Sequence, residues 1–183
     1  MASKIKVDQL ETADGSGTIA LQNQLSGMTT ASLPTVTTDK LGTGAVLQVV
    51  QFSGTASRTI STSTSAWVSH FSLAITPSST SSKILIQATV PVLVTGSSNL
   101  SRAGFRIERG STTIWNTDDF REQYQYRNAD GEGCTVINSI YLDSPNTTSS
   151  TTYTWQGSLM TGDGLYMLSK GEGSNLVLME IAG

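Results

Sequence analysis

Across 183 residues the sequence sets 11 Lys and Arg against 14 Asp and Glu, a formal charge of −3, and charged residues make up only 14% of it. The basic residues are scattered, so the clusters that displace counterions from a nucleic-acid backbone are missing, and no run approaches the roughly 20 apolar residues of a membrane span. Cys134 is the single cysteine, which excludes an intrachain disulfide and a Cys-based zinc cluster.

Ser and Thr exceed a quarter of the chain, so the expected surface is rich in hydroxyls rather than in charge. The opening "MASKIKVDQL" holds no apolar signal core, and synthesis in a reducing cytoplasm is expected.

From Lys6 to Gln24 the chain reads as a hairpin, two alternating arms around an Asp-Gly turn. Ile5 and Val7 fall on one face of the first arm, Ile19 and Leu21 on one face of the second. A lone hairpin with so small an apolar face is marginal in water. The reading is that three hairpins pack around a threefold axis. Residues 25–44 lose periodicity and read as a linker, giving an N-terminal attachment and trimerisation segment over 1–44 and a head domain over 45–183.

Beyond Ala45 the apolar period is two, not 3.6. In "WVSHFSLAIT" Trp67, Phe71, Leu73 and Ile75 share one face, and His70 falls on the other, solvent side. In "KILIQATVPVLV" Ile84, Ile86, Val90, Val92 and Val94 line one side, and Pro91 argues for an edge or a bulge. "AGFRIER" sets Ala103, Phe105 and Ile107 against Arg106 and Glu108. "TYTWQGSLM" sets Tyr153, Trp155 and Leu159 against Thr154, Gln156 and Ser158. "GAVLQVVQF", "CTVINSIYL" and "NLVLMEIA" are apolar on both faces and are predicted to be more central.

Turn chemistry separates the runs, as in "TPSSTSS", "NADGEG", "DSPNTTSS" and "TGDG". About eight to ten short strands with such punctuation predict an antiparallel, jelly-roll-like β-sandwich.

Catalytic signatures are missing. No Gly-x-Ser-x-Gly elbow, Walker loop or dinucleotide-binding glycine pattern is present, and His70 is the only histidine. Asp118, Asp119, Glu122, Asp130 and Glu132 share a polar stretch, but a glycosidase needs two carboxyl groups about 5–9 Å apart across a cleft, and spacing along a chain does not establish one. The Asp-x-Asp-x-Asp-Gly loop of a calcium site is absent. No catalytic residue, metal or cofactor is expected.

The same stretch is the best candidate for contact with a partner. Trp115, Phe120, Tyr124 and Tyr126 cluster with Asp118, Asp119, Arg121 and Arg127. Stacking faces beside planar hydrogen-bonding groups suit a saccharide or a protein epitope, and Tyr, Trp and Arg are enriched at hot spots. Core or intersubunit packing of Trp115 and Phe120 is the competing reading.

The run "SKIKVDQLETADGSGTIALQNQLSG" resembles the N-terminus of tail-fibre-like appendage proteins of marine tailed bacteriophages. "GAVLQVVQF", "SLAITPSSTSSKILI", "YLDSPNTTSSTTYTWQ" and "LVLMEIAG" are similar to later parts of the same group, whereas 99–133 has no counterpart there. The resemblance implies a virion surface protein, often trimeric, with an N-terminal attachment segment and a β-sandwich head.

The leading expectation is therefore a non-enzymatic appendage. It would bind copies of itself, other virion proteins through its N-terminal segment, and a host surface glycan or protein, with neither nucleic acid nor membrane insertion. A capsid decoration or head-fibre protein with no receptor role and a carbohydrate-binding module stay open. If the hairpin holds the trimer, Val7→Asp or Ile19→Asp should reduce the mass measured by light scattering from about three chains to one, 19.4 kDa, while circular dichroism keeps the signal of the folded head.

Overall fold

The computed structural model describes residues 41–54, 59–62, 66–96, 100–117, 123–126, 131–167 and 173–183. Among them there are eleven strands and no helix: β1 (Val46–Gly54), β2 (Thr59–Ser61), β3 (Trp67–Ile75), β4 (Lys83–Gly96), β5 (Leu100–Arg109), β6 (Thr112–Asn116), β7 (Gln123–Tyr126), β8 (Gly131–Asp143), β9 (Thr151–Thr161), β10 (Gly164–Met167) and β11 (Ser174–Ile181). The hairpin expected around Ile5, Val7, Ile19 and Leu21 lies outside the described residues.

All pairings are antiparallel and build two sheets. The first runs β1–β11–β4, with β8 on the far edge of β4 and with β10, carrying β2, continuing the line of β11. The second runs β3–β9–β5, with β6 and β7 sharing the outer edge of β5. The first long strand thus pairs with the last (β1 with β11), β3 with β9, β4 with β8 and β5 with β6. That nesting is a long hairpin rolled upon itself, a jelly roll.

Alternation fills the space between the sheets. Ile84, Ile86, Val90, Val92 and Val94 of β4, Ala103, Phe105 and Ile107 of β5, and Tyr153, Trp155 and Leu159 of β9 are all buried, on the faces expected from period two. Leu176 and Leu178 of β11 join them. Trp155, fully buried, lies 5.2 Å from the Phe105 ring and 5.9 Å from the Phe71 ring, both stacked; Phe71 stacks in turn on Phe52 at 5.4 Å. Gly157 lies beneath Leu165 and Met167, where an added Cβ would come within 2.7 Å of the Met167 sulfur.

Three local expectations are corrected. Among the described residues β1 and β8, apolar on both faces, are edge strands: there β1 pairs only with β11, and β8 only with β4. Double-sided apolarity does not fix a place within the sheet, because an inner strand of a sandwich also has one face turned away from the core, and in β1 and β8 that face is exposed. Pro91 lies in β4, which is flanked on both sides. On one side it faces the gap between β11, which pairs up to Thr89, and β10, which pairs from Val92; on the other it stands opposite Val136 of β8. A bulge between Ser69 and Phe71 resets the parity of β3, so Trp67 faces outward, on the side opposite Phe71 and Ile75.

The strands run longer than expected, up to 14 residues. Trp155→Ala should cost about 3–5 kcal/mol of unfolding free energy in a denaturant titration, because the rings of Phe71, Phe105 and His70 lose a shared neighbour and the gap cannot collapse between two hydrogen-bonded sheets.

Candidate functional site

Period two also sends polar groups inward, where Asp143 and Ser139 are met from the opposite sheet and Glu180 from its own sheet and the β3–β4 connection. In β8 the inward series Ile137, Ser139, Tyr141 ends on Asp143, which is buried. Its carboxylate accepts from Arg109 Nη1 at 2.8 and 2.9 Å and from the Tyr153 hydroxyl at 2.7 Å, tying β8 to β5 and β9. Burial first, then the Asp143 carboxylate, push the Tyr153 phenol well above its usual range. Trp155 Nε1 donates to Ser139 Oγ at 3.3 Å, a second tie between the sheets.

Glu180 continues the inward series Leu176, Leu178 and is fully buried. It accepts from the Ser78 N–H at 2.7 Å, the Ser78 hydroxyl at 2.6 Å and Gln48 Nε2 at 2.6 Å. Burial alone would raise its pKa; the donors on Ser78, Ser82 and Gln48 outweigh it and hold the carboxyl below its ordinary value. Beside it a cavity of about 330 Å³ is lined by Leu41, Leu47, Ser78, Ser79, Ser81, Ser82, Ala182 and Gly183. The Ser79 and Ser81 hydroxyls are 3.0 Å apart and bond each other.

His70, expected on the solvent side, is carried inward by the bulge of β3. Its Nε2 lies 3.0 Å from Ser174 Oγ on β11, and its ring packs 4.7 Å from Phe71 and 6.1 Å from Trp155. Burial lowers its pKa to about 4. Among the described residues no three of His, Cys, Asp and Glu gather as metal ligands. Asp143, Glu180 and His70 brace the sandwich, each with donors or rings already in place.

The outward face of the second sheet is polar. Arg106 lies 4.4 Å over the Trp67 ring and pairs with Glu108 at 2.6 Å. Gln156 accepts from Arg106 Nε at 2.7 Å and donates to Ser69 and Glu108, each at 3.1 Å. This planar network of one indole, one guanidinium and amide and carboxylate groups offers stacking and hydrogen bonds to solvent or to a ligand.

Of the expected contact residues, Trp115 stands on β6 opposite Ile107, half-buried against the core. Tyr124 and Tyr126 belong to β7, opposite Arg102 and Leu100. Asp118, Asp119, Phe120, Arg121 and Arg127 lie outside the described residues. Sequence reasoning missed Asp143 and Glu180, although an acid at an inward position of an alternating apolar strand was the available signal.

No family model matches the sequence, and no curated protein matches it. Among solved structures, the chain is similar to the infectious bursal disease virus Gt strain structure at 13% identity and a TM-score of 0.39, covering 82% of this chain and 43% of that one. The T13 particle of the same virus gives 12% identity, a TM-score of 0.40, and 82% and 40% coverage. The chain spans less than half the length of these neighbours, and so distant a likeness carries no functional argument.

Two limbs of acid sensitivity follow. Unfolded His70 titrates near 6.5 and folded His70 near 4, so stability is complete above about pH 6.5 and falls as the pH drops toward 4. Glu180, depressed from 4.5, contributes above that pH and is lost below it. Melting temperatures from pH 8 to 3 should decline in both windows, His70→Gln flattening the first limb and Glu180→Gln the second.

Proposed function

We propose that this chain is a non-enzymatic structural protein of a phage virion, a tail-fibre-like appendage that is held to the particle by its N-terminal segment and displays its jelly roll at the virion surface, as a homotrimer, for adhesion to the host. The observation that supports this reading is that the described chain enters β1 at one end of the roll while β7 and the start of β8 lie at the other. The chain enters β1 where Gly44 N–H donates to the Ala182 carbonyl at 2.8 Å and Ala182 N–H to the Ala45 carbonyl at 2.8 Å. At the other end, β7 pairs with Leu100–Ala103 and β8 starts opposite Gly96. The 14 residues of β4 span the distance between, about 45 Å at about 3.3 Å per residue.

Where the sequence resembles marine-phage appendages, it supplies framework: "GAVLQVVQF" forms β1, "SLAITPSSTSSKILI" joins β3 to β4, "YLDSPNTTSSTTYTWQ" joins β8 to β9, and "LVLMEIA" forms most of β11. Both of those connections lie at the end where the chain enters, since Ile75 faces Thr151 and Ile84 faces Asp143. The unmatched stretch 99–133 supplies β5, β6, β7 and the start of β8. An anchored framework end and a separate display end suit an adhesin. Several weak contacts on one rigid trimer gain effective concentration without new contacts.

A jelly roll serves viral coat and lectin domains alike, and a fold does not specify a function. The structural commitments of Asp143, Glu180 and His70 support the non-enzymatic part of the reading.

Particles carrying Tyr124→Ala with Tyr126→Ala should adsorb to host cells at least roughly tenfold more slowly, with the melting temperature of the purified chain unchanged. Unchanged adsorption would favour a decoration protein. Gold-labelled antibody against the full chain should mark the outside of intact particles, and labelling confined to disrupted particles would overturn the virion-surface reading.

A further inference from the structure

Toward the end where the chain enters β1, the back of the first sheet is largely apolar. Residues paired across β1, β11, β4 and β8 project to the same side, and those turned away from the core form rows. Val46 faces Ile181. The next row is Val49, Met179, Leu85 and Leu142, and the one after it Gln51, Val177, Gln87 and Ile140; the fourth, Ser53, Asn175, Thr89 and Asn138, is polar and bounds the patch. Ile140 is 64% exposed and Val49 54%; Val46, Val136 and Leu142 are exposed as well.

Lys83, at one margin, is the only charged side chain in these rows. The outward face of the second sheet, with Arg106, Glu108 and Gln156, is its opposite in character. Contiguous apolar surface on this scale marks an interaction site.

The edges point the same way. Among the described residues β8 pairs on one side only for 13 residues, and between Gly133 and Leu142 it carries no charge and no proline. β1, the other edge, has neither along its whole length. Exposed edges are normally blunted by Lys, Pro or inward charges to prevent pairing with other chains. These two are left unguarded, flanking an apolar face.

We infer that the outer face of β1–β11–β4–β8 is the surface through which copies of this chain associate, an inference that rests on the homo-oligomeric part of the proposed function. The occupant is a second copy for two physical reasons. A face almost without charge has nothing to select a foreign partner by charge complementarity, and an apolar, core-like interface is the mark of permanent self-association. At about 4.8 Å between strands and about 3.4 Å per residue the four strands present roughly 700 Å² in projection, close to the roughly 800 Å² that each partner gives to a standard interface, with the apolar rows as its core and the row of Ser53, Asn175, Thr89 and Asn138 in its polar rim.

The test is the light-scattering mass of the full chain and of three variants. Ile140→Asp and Val49→Asp change well-exposed positions, so the fold is expected to persist, which circular dichroism and the melting profile check. Ser72→Asp, exposed on the outward face of the other sheet, is the control. The expected result is a multiple of 19.4 kDa for the wild type and Ser72→Asp, and at least a hundredfold weaker association for Ile140→Asp and Val49→Asp.

A folded wild type of one-chain mass at high concentration would overturn both this inference and the homo-oligomeric reading, and would assign the face to residues 1–40 of the same chain or to a foreign partner. An oligomer that survives both face variants but is broken by Val7→Asp would overturn this inference alone.

Discussion

A buried indole sets the spacing on which the rest of the sandwich depends. Trp155 rises from β9 between Phe71 and Phe105 of its own sheet and reaches Ser139 on β8 of the other, so one side chain both fills the core and registers the sheets. Around it the inward polar groups fall into line. Asp143 meets Arg109 and Tyr153, His70 meets Ser174, and each tie joins one sheet to the other. Backbone ladders hold strands within a sheet, but they are indifferent to how the two sheets are placed. Apolar packing is nearly as tolerant, and the directional bonds remove that freedom.

The same constraint separates the two ends of the molecule. Glu180 with its Ser78 and Gln48 donors, and Asp143 with its cation, gather at the end where the chain enters β1 and where the β3–β4 and β8–β9 connections cross. That end is cross-braced. The far end carries the handover from β11 to β10 along β4 and the pairing of β7 with the start of β5. A braced base and a more composite tip is a sensible division for a protein proposed to be gripped at one end and to touch at the other. The two outward faces divide as well, into a polar net around Arg106 and a largely apolar patch around Val49 and Leu142.

Much of this was legible from alternation. The inward sets of β4, β5 and β9 can be read directly from their sequences, because in a strand parity is a local property and each residue's face follows from its neighbour's. The Gly-Asp-Gly turn between β9 and β10 was equally readable: Gly162 takes a φ of 122°, where a side chain is strained. Within the candidate contact stretch, Trp115 was open between core and surface, and its half-buried place opposite Ile107 came from pairing β6 with β5, two strands joined by one turn. Trp67 and His70 were misplaced because a single bulged residue reverses parity upstream of it, and nothing in "WVSHFSL" marks the bulge.

The sequence by itself determined the all-β class, the positions of the turns and the two faces of each regular strand, since these rest on steric preferences and on a period of two. Only the tertiary structure decided which strands stand at the edges, which inward acid finds which donor, and which face of the doubly apolar strands is left bare. Those outcomes depend on pairings such as Gln48 with Glu180, 132 residues apart. The long-range ladder brings such groups together, and no local pattern encodes it.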